Sequence, residues 1–192
     1  MPMPLTLAVD AEPERDPEPP PSLYCRYPNN TAALASWASG DPCASNWAGV
    51  TCSGAAVVSI TPPVRNIHGS IPSQIGLLTS LTFLDFNGVG LFGSLPTELG
   101  LLTSMTGLQL GSNSFSGSIP SQLGRLTLLT GLDLQYNSLT STIPSEIGLL
   151  TSLGPNLYFD GNSLSGTLPT QLANLRNLFH FMIYSVRLGN RK

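Results

Sequence analysis

A short stretch of sequence recurs five times along this chain, and this repeat constrains the fold more than any other feature. Each copy contains an Ile-Pro or Leu-Pro pair, and successive prolines are separated by 24, 24, 24 and 25 residues. The copies read GSIPSQIGLLTSL, GSLPTELGLLTSM, GSIPSQLGRLTLL, STIPSEIGLLTSL and GTLPTQLANLRNL. A fixed period of about 20–29 residues with leucine at fixed positions is typical of a solenoid in which each copy forms one coil.

The copy that begins at Leu126 indicates how one coil folds. Leu132 and Leu134 are two residues apart, so a β-strand places both side chains on the same face. A single coil cannot cover this apolar edge, which becomes buried only when the next coil stacks on it. At about 1.5–3 kcal/mol for each fully buried aliphatic side chain, the stacked Leu and Ile side chains are expected to dominate the stability. We also assign most of the neighbouring phenylalanines to this core: Phe83, Phe86, Phe92, Phe115, Phe159 and Phe181.

An asparagine follows the strand in three copies: Asn113, Asn137 and Asn162. Its side chain can turn inward and hydrogen-bond the backbone of neighbouring coils, which predicts a ladder of asparagines. The other copies carry different residues at this position: Pro63, Val89 and Val186. The ladder is therefore expected to be complete only in the middle of the solenoid.

Proline and one insertion shape the rest of the coil. The recurring proline fixes φ and lacks an N–H donor, which suits an extended segment just before a turn. The interval of 25 residues contains one extra residue, near Gly154-Pro155-Asn156, and it predicts a bulge at the start of the strand 157–159. Two interpretations are open for this bulge: a loop variation without function, or a local recognition feature.

The chain divides into three predicted segments. Residues 1–21 form a leader rich in proline and acidic residues, which has too little apolar surface to fold and is expected to be disordered. Residues 22–54 form an N-terminal cap with one short helix, for which Asn30 or Thr31 provides the N-cap. Residues 55–192 contain five to six coils, of which the last is incomplete.

The N-terminal part also bears on the cellular compartment. Cys43 and Cys52 enclose a small loop that a disulfide can close in an oxidising compartment, and the third cysteine, Cys25, is free or has a partner elsewhere. The first residues hold one short apolar run with no basic residue before it, unlike a secretory signal. We therefore expect either an intracellular protein or a start that is mis-assigned or lost. Asn29 begins an Asn-Asn-Thr glycosylation sequon, which matters only for a secreted chain.

Composition excludes two classes of partner. Charged residues make up 10% of the chain, and the formal net charge is −3. No basic patch is available to neutralise phosphates, so a nucleic-acid partner is not expected. No stretch approaches the roughly 18 apolar residues that span a bilayer, so no transmembrane segment is expected in this chain.

The repeat LTGLDLQYNSLTSTIPSEIGLL resembles the plant-specific class of leucine-rich repeats, and LASWASGDPCASNWAGVTC is similar to the cap domain found with it. The resemblance covers residues 34–189. It implies an α/β fold: a right-handed solenoid with a parallel β-sheet on the concave face and 3₁₀ or short helical turns on the convex face. It also implies a Cys43–Cys52 disulfide and a secreted or cell-surface location, with a cytoplasmic location as the alternative. Members such as receptor-kinase ectodomains and polygalacturonase-inhibitor-like proteins recognise proteins, peptides or glycans.

The outward positions of the concave strands are the predicted ligand-binding residues. One row comprises Asp85, Gln109, Asp133, Tyr158 and Met182. A second row comprises Asn87, Gly111, Gln135, Asp160 and Tyr184, with Tyr136 beside it. The other candidate positions on these strands are Phe83, Asn156 and His180. Acids, amides and tyrosines together suit polar recognition of a peptide or glycan, with tyrosine as an anchor. The alternative is that these are only solvated strand positions.

Two other functions compete with recognition. Rows of hydroxyl side chains repeat on another face and could contact ice or a wall polymer: Ser70, Ser94, Ser118, Thr142 and Thr167. Catalysis has less support, because His68 and His180 are too far apart for a metal-ligand cluster. Asp85 and Asp133 lie two coils apart, about 10 Å from the strand spacing, which is at the edge of the carboxylate distance in an inverting glycosidase. The site is expected to be open, however, and nothing in the sequence is expected to raise the pKa of either carboxyl. We therefore expect a non-catalytic protein without a cofactor or metal.

Overall fold

The computed structural model describes residues 41–65, 67–178, 180–182 and 187–188. Only the backbone is described for residues 156, 180–182 and 187–188. Several positions named above lie outside the described residues: the leader, the helix of the cap, Cys25, Asn29, Tyr184 and Val186.

The described part of the chain contains twelve short strands. In chain order they are β1 (Val50–Ser53), β2 (Ala56–Ile60), β3 (Phe83–Asp85), β4 (Phe92–Ser94), β5 (Gly107–Gln109), β6 (Ser114–Ser118), β7 (Gly131–Asp133), β8 (Ser138–Thr140), β9 (Asn156–Tyr158), β10 (Ser165–Gly166), β11 (His180–Met182) and β12 (Arg187–Leu188). Seven of them form one sheet in the order β1-β2-β3-β5-β7-β9-β11. β1 and β2 are antiparallel, and all later neighbours in this sheet are parallel. Each coil therefore adds one parallel strand, as the repeat predicts.

The other side of each coil carries a second strand and a turn. β4, β6 and β8 form a three-stranded parallel sheet, and β10 pairs with β12. The described coils also contain five 3₁₀ helices: Ser73–Leu77, Thr97–Leu101, Ser121–Arg125, Ser145–Leu149 and Thr170–Asn174. Each follows a recurring proline, whose φ lies between −60° and −77°. The fold is thus the leucine-rich-repeat solenoid that the sequence predicts.

One continuous apolar core lies between the strands and the 3₁₀ helices. The central residues of β3, β5, β7 and β9 are buried: Leu84, Leu108, Leu132 and Leu157. Three of the phenylalanines assigned to the core are also buried: Phe86, Phe115 and Phe159. Phe83 and Phe92 are instead 37% and 39% exposed. Each is adjacent to a buried leucine, and successive side chains in an extended segment point to opposite faces.

The 3₁₀ turns of neighbouring coils are in close contact at their glycines. A Cβ atom on Gly124 would lie 2.5 Å from the backbone oxygen of Glu146 and 2.7 Å from its Cβ atom. Gly100 and Gly148 approach the next coil in the same way. The glycine of each Leu-Gly or Ile-Gly pair is therefore required by the distance between coils, and a larger residue would push them apart.

The predicted asparagine ladder is present. The Oδ1 atom of Asn137 accepts a hydrogen bond from the backbone N–H of Phe115 in the preceding coil (3.0 Å). Its Nδ2 group donates to the carbonyl oxygens of Leu110 (3.0 Å) and Leu134 (3.2 Å). Asn113 and Asn162 repeat this pattern. Each asparagine therefore joins the backbones of two coils, and the two N–H donors of its amide are shared among the nearby carbonyl oxygens.

The ladder changes at the first coils. Where Val89 replaces the asparagine, its carbonyl oxygen accepts the hydrogen bond from the backbone N–H of Ile67 (2.7 Å). The assignment of Pro63 to this position in the first coil was wrong. Ile60 pairs with Leu84, which places Arg65 in line with Val89. The proline-rich stretch after β2 lacks the leucines of the repeat, and the position equivalent to Val89 therefore lies two residues after Pro63.

The extra residue of the fourth interval alters one strand pairing. β9 begins at Asn156, one residue earlier than predicted. It pairs with β7 through Leu157 and Tyr158, whereas β5 and β7 are joined through three residue pairs. The irregular start that the insertion predicts is therefore visible as a shortened pairing.

The described part of the cap belongs to the same core. Cys43 and Cys52 form the disulfide that the family resemblance implies, with an S–S distance of 2.03 Å. The Asp41 carboxylate accepts hydrogen bonds from the backbone N–H groups of Cys43 (2.7 Å) and Ala44 (3.2 Å). Trp47 lies in the loop that the disulfide closes and is buried in the apolar core. The loop is thus fixed to the first coil.

Candidate ligand-binding face

The outward side of the seven-stranded sheet is the face that the family resemblance places on the concave side, here called the concave face. Strand pairing aligns the first predicted row: Asp85 lies opposite Gln109, then Asp133, Tyr158 and Met182 follow in register. The strand register therefore places these five positions in one continuous line. Their role in binding stays a prediction.

The second predicted row lies two residues further along each strand. The backbone N–H of Ser112 donates to the carbonyl oxygen of Gln135 (2.9 Å), and that of Tyr136 donates to the carbonyl oxygen of Asp160 (2.8 Å). The Oδ1 atom of Asn87 accepts a hydrogen bond from the N–H of Gly111 (2.6 Å). These bonds keep the second row in register as well.

The aligned residues differ in exposure. Five of them are half-buried: Asp85, Asn87, Gln109, Gln135 and Tyr158. Tyr136 is 58% exposed, whereas Asp133 and Asp160 are buried, with 4% and 6% of their surface exposed. The alternative that all these positions are simply solvated is therefore wrong for the two acids.

Gly111 provides the space in which Asp133 is buried. A Cβ atom on Gly111 would lie 2.8 Å from Oδ1 and 2.9 Å from Oδ2 of Asp133. In this space the carboxylate accepts hydrogen bonds from the backbone N–H and the Nε2 group of Gln135 (2.9 and 3.1 Å). It also accepts one from the Nδ2 group of Asn87 (3.4 Å). A polar network therefore extends over three coils, across a residue that has no side chain.

Burial raises the pKa of the Asp133 carboxyl above its usual value, because removal from water penalises the charged form. The hydrogen bonds from Gln135 and Asn87 lower this pKa, and the negative charge of Asp160 raises it. The Oδ1 atom of Asp160 is buried and has no hydrogen-bond partner. The two buried acids thus repel each other, and no cation among the described residues contributes to the pKa of Asp133.

Two aromatic rings on this face lie against glycines of the next coil. A Cβ atom on Gly107 would lie 2.5 Å from the Cδ2 atom of Phe83, and one on Gly161 would collide with the ring of Tyr136. Phe83 is one of the outward strand positions considered as binding candidates, and the glycine one period later leaves room for its ring on the outer side of the sheet.

The described residues contain no group of three or more His, Cys, Asp or Glu side chains that could hold a metal ion. The same part of the chain contains no helix long and apolar enough to cross a membrane.

A second surface is formed by β4, β6 and β8 and is here called the polar side face. Its strands carry exposed hydroxyl side chains: Ser94, Ser114, Ser116, Ser118, Ser138 and Thr140. The predicted row at 24-residue spacing is wrong for this sheet, because Ser94 pairs with Ser116 and Ser118 pairs with Thr140. Each pair is 22 residues apart by its numbering, and a shift of two residues keeps the same face of the strand outward.

Two family models match the sequence: the leucine rich repeat N-terminal domain at residues 27–53, and the leucine rich repeat at residues 128–150. The chain is similar to a probable leucine-rich repeat receptor-like protein kinase of Arabidopsis thaliana, with 44% identity over 28% of this chain. It is also similar to the LRR receptor-like serine/threonine-protein kinase GSO2 of the same plant, with 38% identity over 33% of this chain. The matching stretches span 6% and 5% of these two relatives.

Solved structures of the same architecture cover most of the chain. A plant ice-binding protein aligns with a TM-score of 0.71 and 32% identity over 82% of this chain and 54% of its own. The complex of the Arabidopsis receptor kinase HAESA with the peptide hormone IDA and the co-receptor SERK1 aligns with a TM-score of 0.69 and 31% identity. The alignment covers 82% of this chain and 27% of the matched chain. The BIR3–SERK2 complex from Arabidopsis thaliana aligns with a TM-score of 0.68 and 29% identity. This alignment covers 85% of this chain and 89% of the matched chain.

Proposed function

We propose that this chain, a leucine-rich-repeat protein of the plant type with its N-terminal cap, is a non-catalytic recognition module that binds an extended peptide or protein segment along the concave face. The observation that carries the proposal is the strand register, which aligns half-buried amide and tyrosine side chains in continuous rows. Side chains that are already held by neighbours lose less conformational entropy on binding than free ones.

The aromatic side chains support this role. Phe83 and Tyr136 are exposed, and Tyr158 is a half-buried member of the first row. Aromatic residues are enriched in the buried centre of protein interfaces and among the residues that contribute most to affinity. The comparison with HAESA, whose structure contains a peptide hormone, favours a peptide over a glycan as the ligand class. A glycan is the alternative for the same face.

We propose a secreted or cell-surface location for the protein, with the cytoplasm as the alternative. The Cys43–Cys52 disulfide and the receptor-like relatives support it, because disulfides persist mainly in oxidising compartments. Peptide mass spectrometry of the protein from its native source is the test. A Cys43–Cys52 linkage supports the proposal, and two free thiols at these positions would contradict it.

Selection of peptides tests the binding role. Random peptides displayed on phage are selected on the full chain, and individual peptides are then measured on the native protein and on Tyr158→Ala. We expect Tyr158→Ala to lower affinity at least about tenfold, since such losses are typical of an aromatic contact residue. Thr140→Tyr on the polar side face is the control and should leave affinity unchanged.

The outcomes separate the ligand classes. Peptides whose binding does not depend on Tyr158, or the failure to select any peptide, would contradict peptide recognition by the concave face. Retention of an oligosaccharide on a glycan array, lost in Tyr158→Ala, would assign the face to glycans instead.

A second candidate function is binding to ice or to a wall polymer through the polar side face. One observation favours it: the strands β4, β6 and β8 expose serine and threonine and contain no charged residue. The alignment with a plant ice-binding protein agrees with this candidate. The test is inhibition of ice recrystallisation, which Thr140→Tyr should abolish and Tyr158→Ala should leave intact. Equal activity of both variants, or none in the native protein, would exclude ice as the ligand.

A further inference from the structure

We propose that Asp133 and Asp160 form a subsite of the concave face for one positively charged group of the ligand, the guanidinium of an arginine or the ammonium of a lysine in an extended peptide. This inference rests on the proposed function of the concave face. It goes further by naming the chemistry of one ligand position.

The first argument is uncompensated negative charge. Asp133 and Asp160 are 4% and 6% exposed, and a buried carboxylate is costly unless it is paired or hydrogen-bonded. Asp133 receives only amide hydrogen bonds, and the Oδ1 atom of Asp160 receives none. Asp133 also faces the negative charge of Asp160, which raises the pKa of the Asp133 carboxyl. A cation that entered between them would compensate both charges.

The second argument is the orientation of the carboxylate. Gln135 holds Asp133 through its backbone N–H and its side-chain amide, and Asn87 adds a contact from two coils away. These donors hold the Asp133 carboxylate in one orientation before any ligand arrives. Such preorganisation reduces the entropy that binding must otherwise remove. The planar guanidinium has five N–H donors, enough for hydrogen bonds to more than one carboxylate oxygen.

The third argument is the pair of aromatic neighbours. Tyr158 lies opposite Asp133 in the strand register. The ring of Tyr136 lies over Gly161, the residue that follows Asp160. Tyrosine faces attract guanidinium and ammonium groups, so both rings can contact the same cation that the carboxylates bind.

A divalent metal ion fits this place less well. Calcium takes about 6–8 oxygen ligands, and the described residues provide two carboxylates here and no group of three or more metal-ligating side chains. An organic cation requires fewer acceptors and is also attracted by aromatic rings.

The experiment uses peptides selected on the full chain by phage display. Each peptide that contains arginine is compared with its citrulline analogue, which has nearly the same shape and no charge. On the native protein we expect citrulline to lower affinity about tenfold to a hundredfold, the range for a hydrogen bond to a charged group. Asp160→Asn should cause a loss of the same size, and citrulline should then have no further effect.

Glu146→Gln is the matched control, because it also removes one carboxylate charge. Glu146 is exposed on the 3₁₀ helix Ser145–Leu149, outside the concave face. Its replacement should therefore leave the affinity of the selected peptides unchanged. If Asp160→Asn does not fold, as judged by its melting curve, Asp133→Asn replaces it in the comparison.

Each outcome decides between the two proposals. Selected peptides that depend on Tyr158 but bind equally with arginine or citrulline would overturn the cation subsite and leave peptide recognition intact. An unchanged affinity of Asp160→Asn would do the same. Peptides that bind without dependence on Tyr158, or the absence of any selected peptide, would overturn both.

Discussion

Replacing Asn137 by alanine tests how neighbouring coils are held together. Asn137 is 8% exposed. It accepts a hydrogen bond from the N–H of Phe115 and donates to the carbonyl oxygens of Leu110, Leu134 and Gln135. The two hydrogens of the Nδ2 group are shared among the three carbonyl oxygens, so a simple sum at about 1 kcal/mol for each contact gives an upper bound of about 4 kcal/mol for the fall in the free energy of unfolding.

The neighbouring rungs of the ladder reduce this estimate. The carbonyl oxygen of Leu110 also accepts a hydrogen bond from Asn113, and that of Leu134 also accepts one from Asn162. The Phe115 N–H has no such second partner in the ladder, and a buried donor without an acceptor costs about 1–3 kcal/mol. With about 1 kcal/mol for the cavity, we expect Asn137→Ala to lower the free energy of unfolding by about 2–4 kcal/mol.

The measurement is a urea titration followed by circular dichroism, with linear extrapolation to water. Asn174→Ala, at an exposed position at the end of a 3₁₀ helix, is the control and should change stability by less than about 0.5 kcal/mol. A loss below about 1 kcal/mol at Asn137 would refute the reasoning. It would mean that the backbone carbonyl of residue 137 can replace the side chain, as that of Val89 does for the N–H of Ile67.

Three further predictions concern spacing, charge and the cap. Gly124→Ala should lower the free energy of unfolding, measured in urea, by about 1–3 kcal/mol through overpacking against Glu146. Gly131→Ala is its control and should be neutral or stabilising, because the added Cβ atom would lie 3.4 Å from its nearest neighbour, Gln109 Nε2. Folding raises the pKa of the Asp133 carboxyl above its value of 3.8 in the unfolded chain. The protonated carboxyl therefore stabilises the folded state fully below pH 3.8, and this stabilisation is lost as pH rises through the folded pKa. Asp133→Asn should therefore gain stability relative to the native protein between pH 3 and pH 7 in a series of urea titrations, and a constant difference would contradict the shift. Cys43→Ser should lower the free energy of unfolding by about 2–3 kcal/mol and remove the effect of a reducing agent on the melting temperature.

The core could be predicted from the sequence because every coil repeats the same local pattern. Leu84, Leu108 and Leu132 occupy one repeat position, and their burial follows from the period alone. The same regularity places the asparagine ladder. The wrong assignment concerns Pro63, at the position where the structure has Arg65. It lies in the proline-rich stretch after β2, which contains none of the leucines that define the repeat.

The details of the concave face could not be predicted in this way. Asp133 is buried because Gly111, in the preceding coil, has no side chain, and Phe83 finds space over Gly107 for the same reason. Both effects depend on a contact between coils at one particular pair of residues. A single copy of the repeat therefore identifies which positions face outward, but the exposure of each side chain depends on its partner about one period away.

The two outer surfaces differ in the kind of ligand that they can bind. The concave face holds buried negative charge and aromatic rings, so binding there gains from a cation that matches Asp133 and Asp160 and should be selective. The strands of the polar side face carry hydroxyl groups and no charge, which suits a regular, uncharged surface and gives little discrimination between ligands. Because the two surfaces share no residue, substitutions at Tyr158 and Thr140 should act independently. If the double variant loses no more activity than one of the two single variants, the function belongs to the surface that this single variant alters.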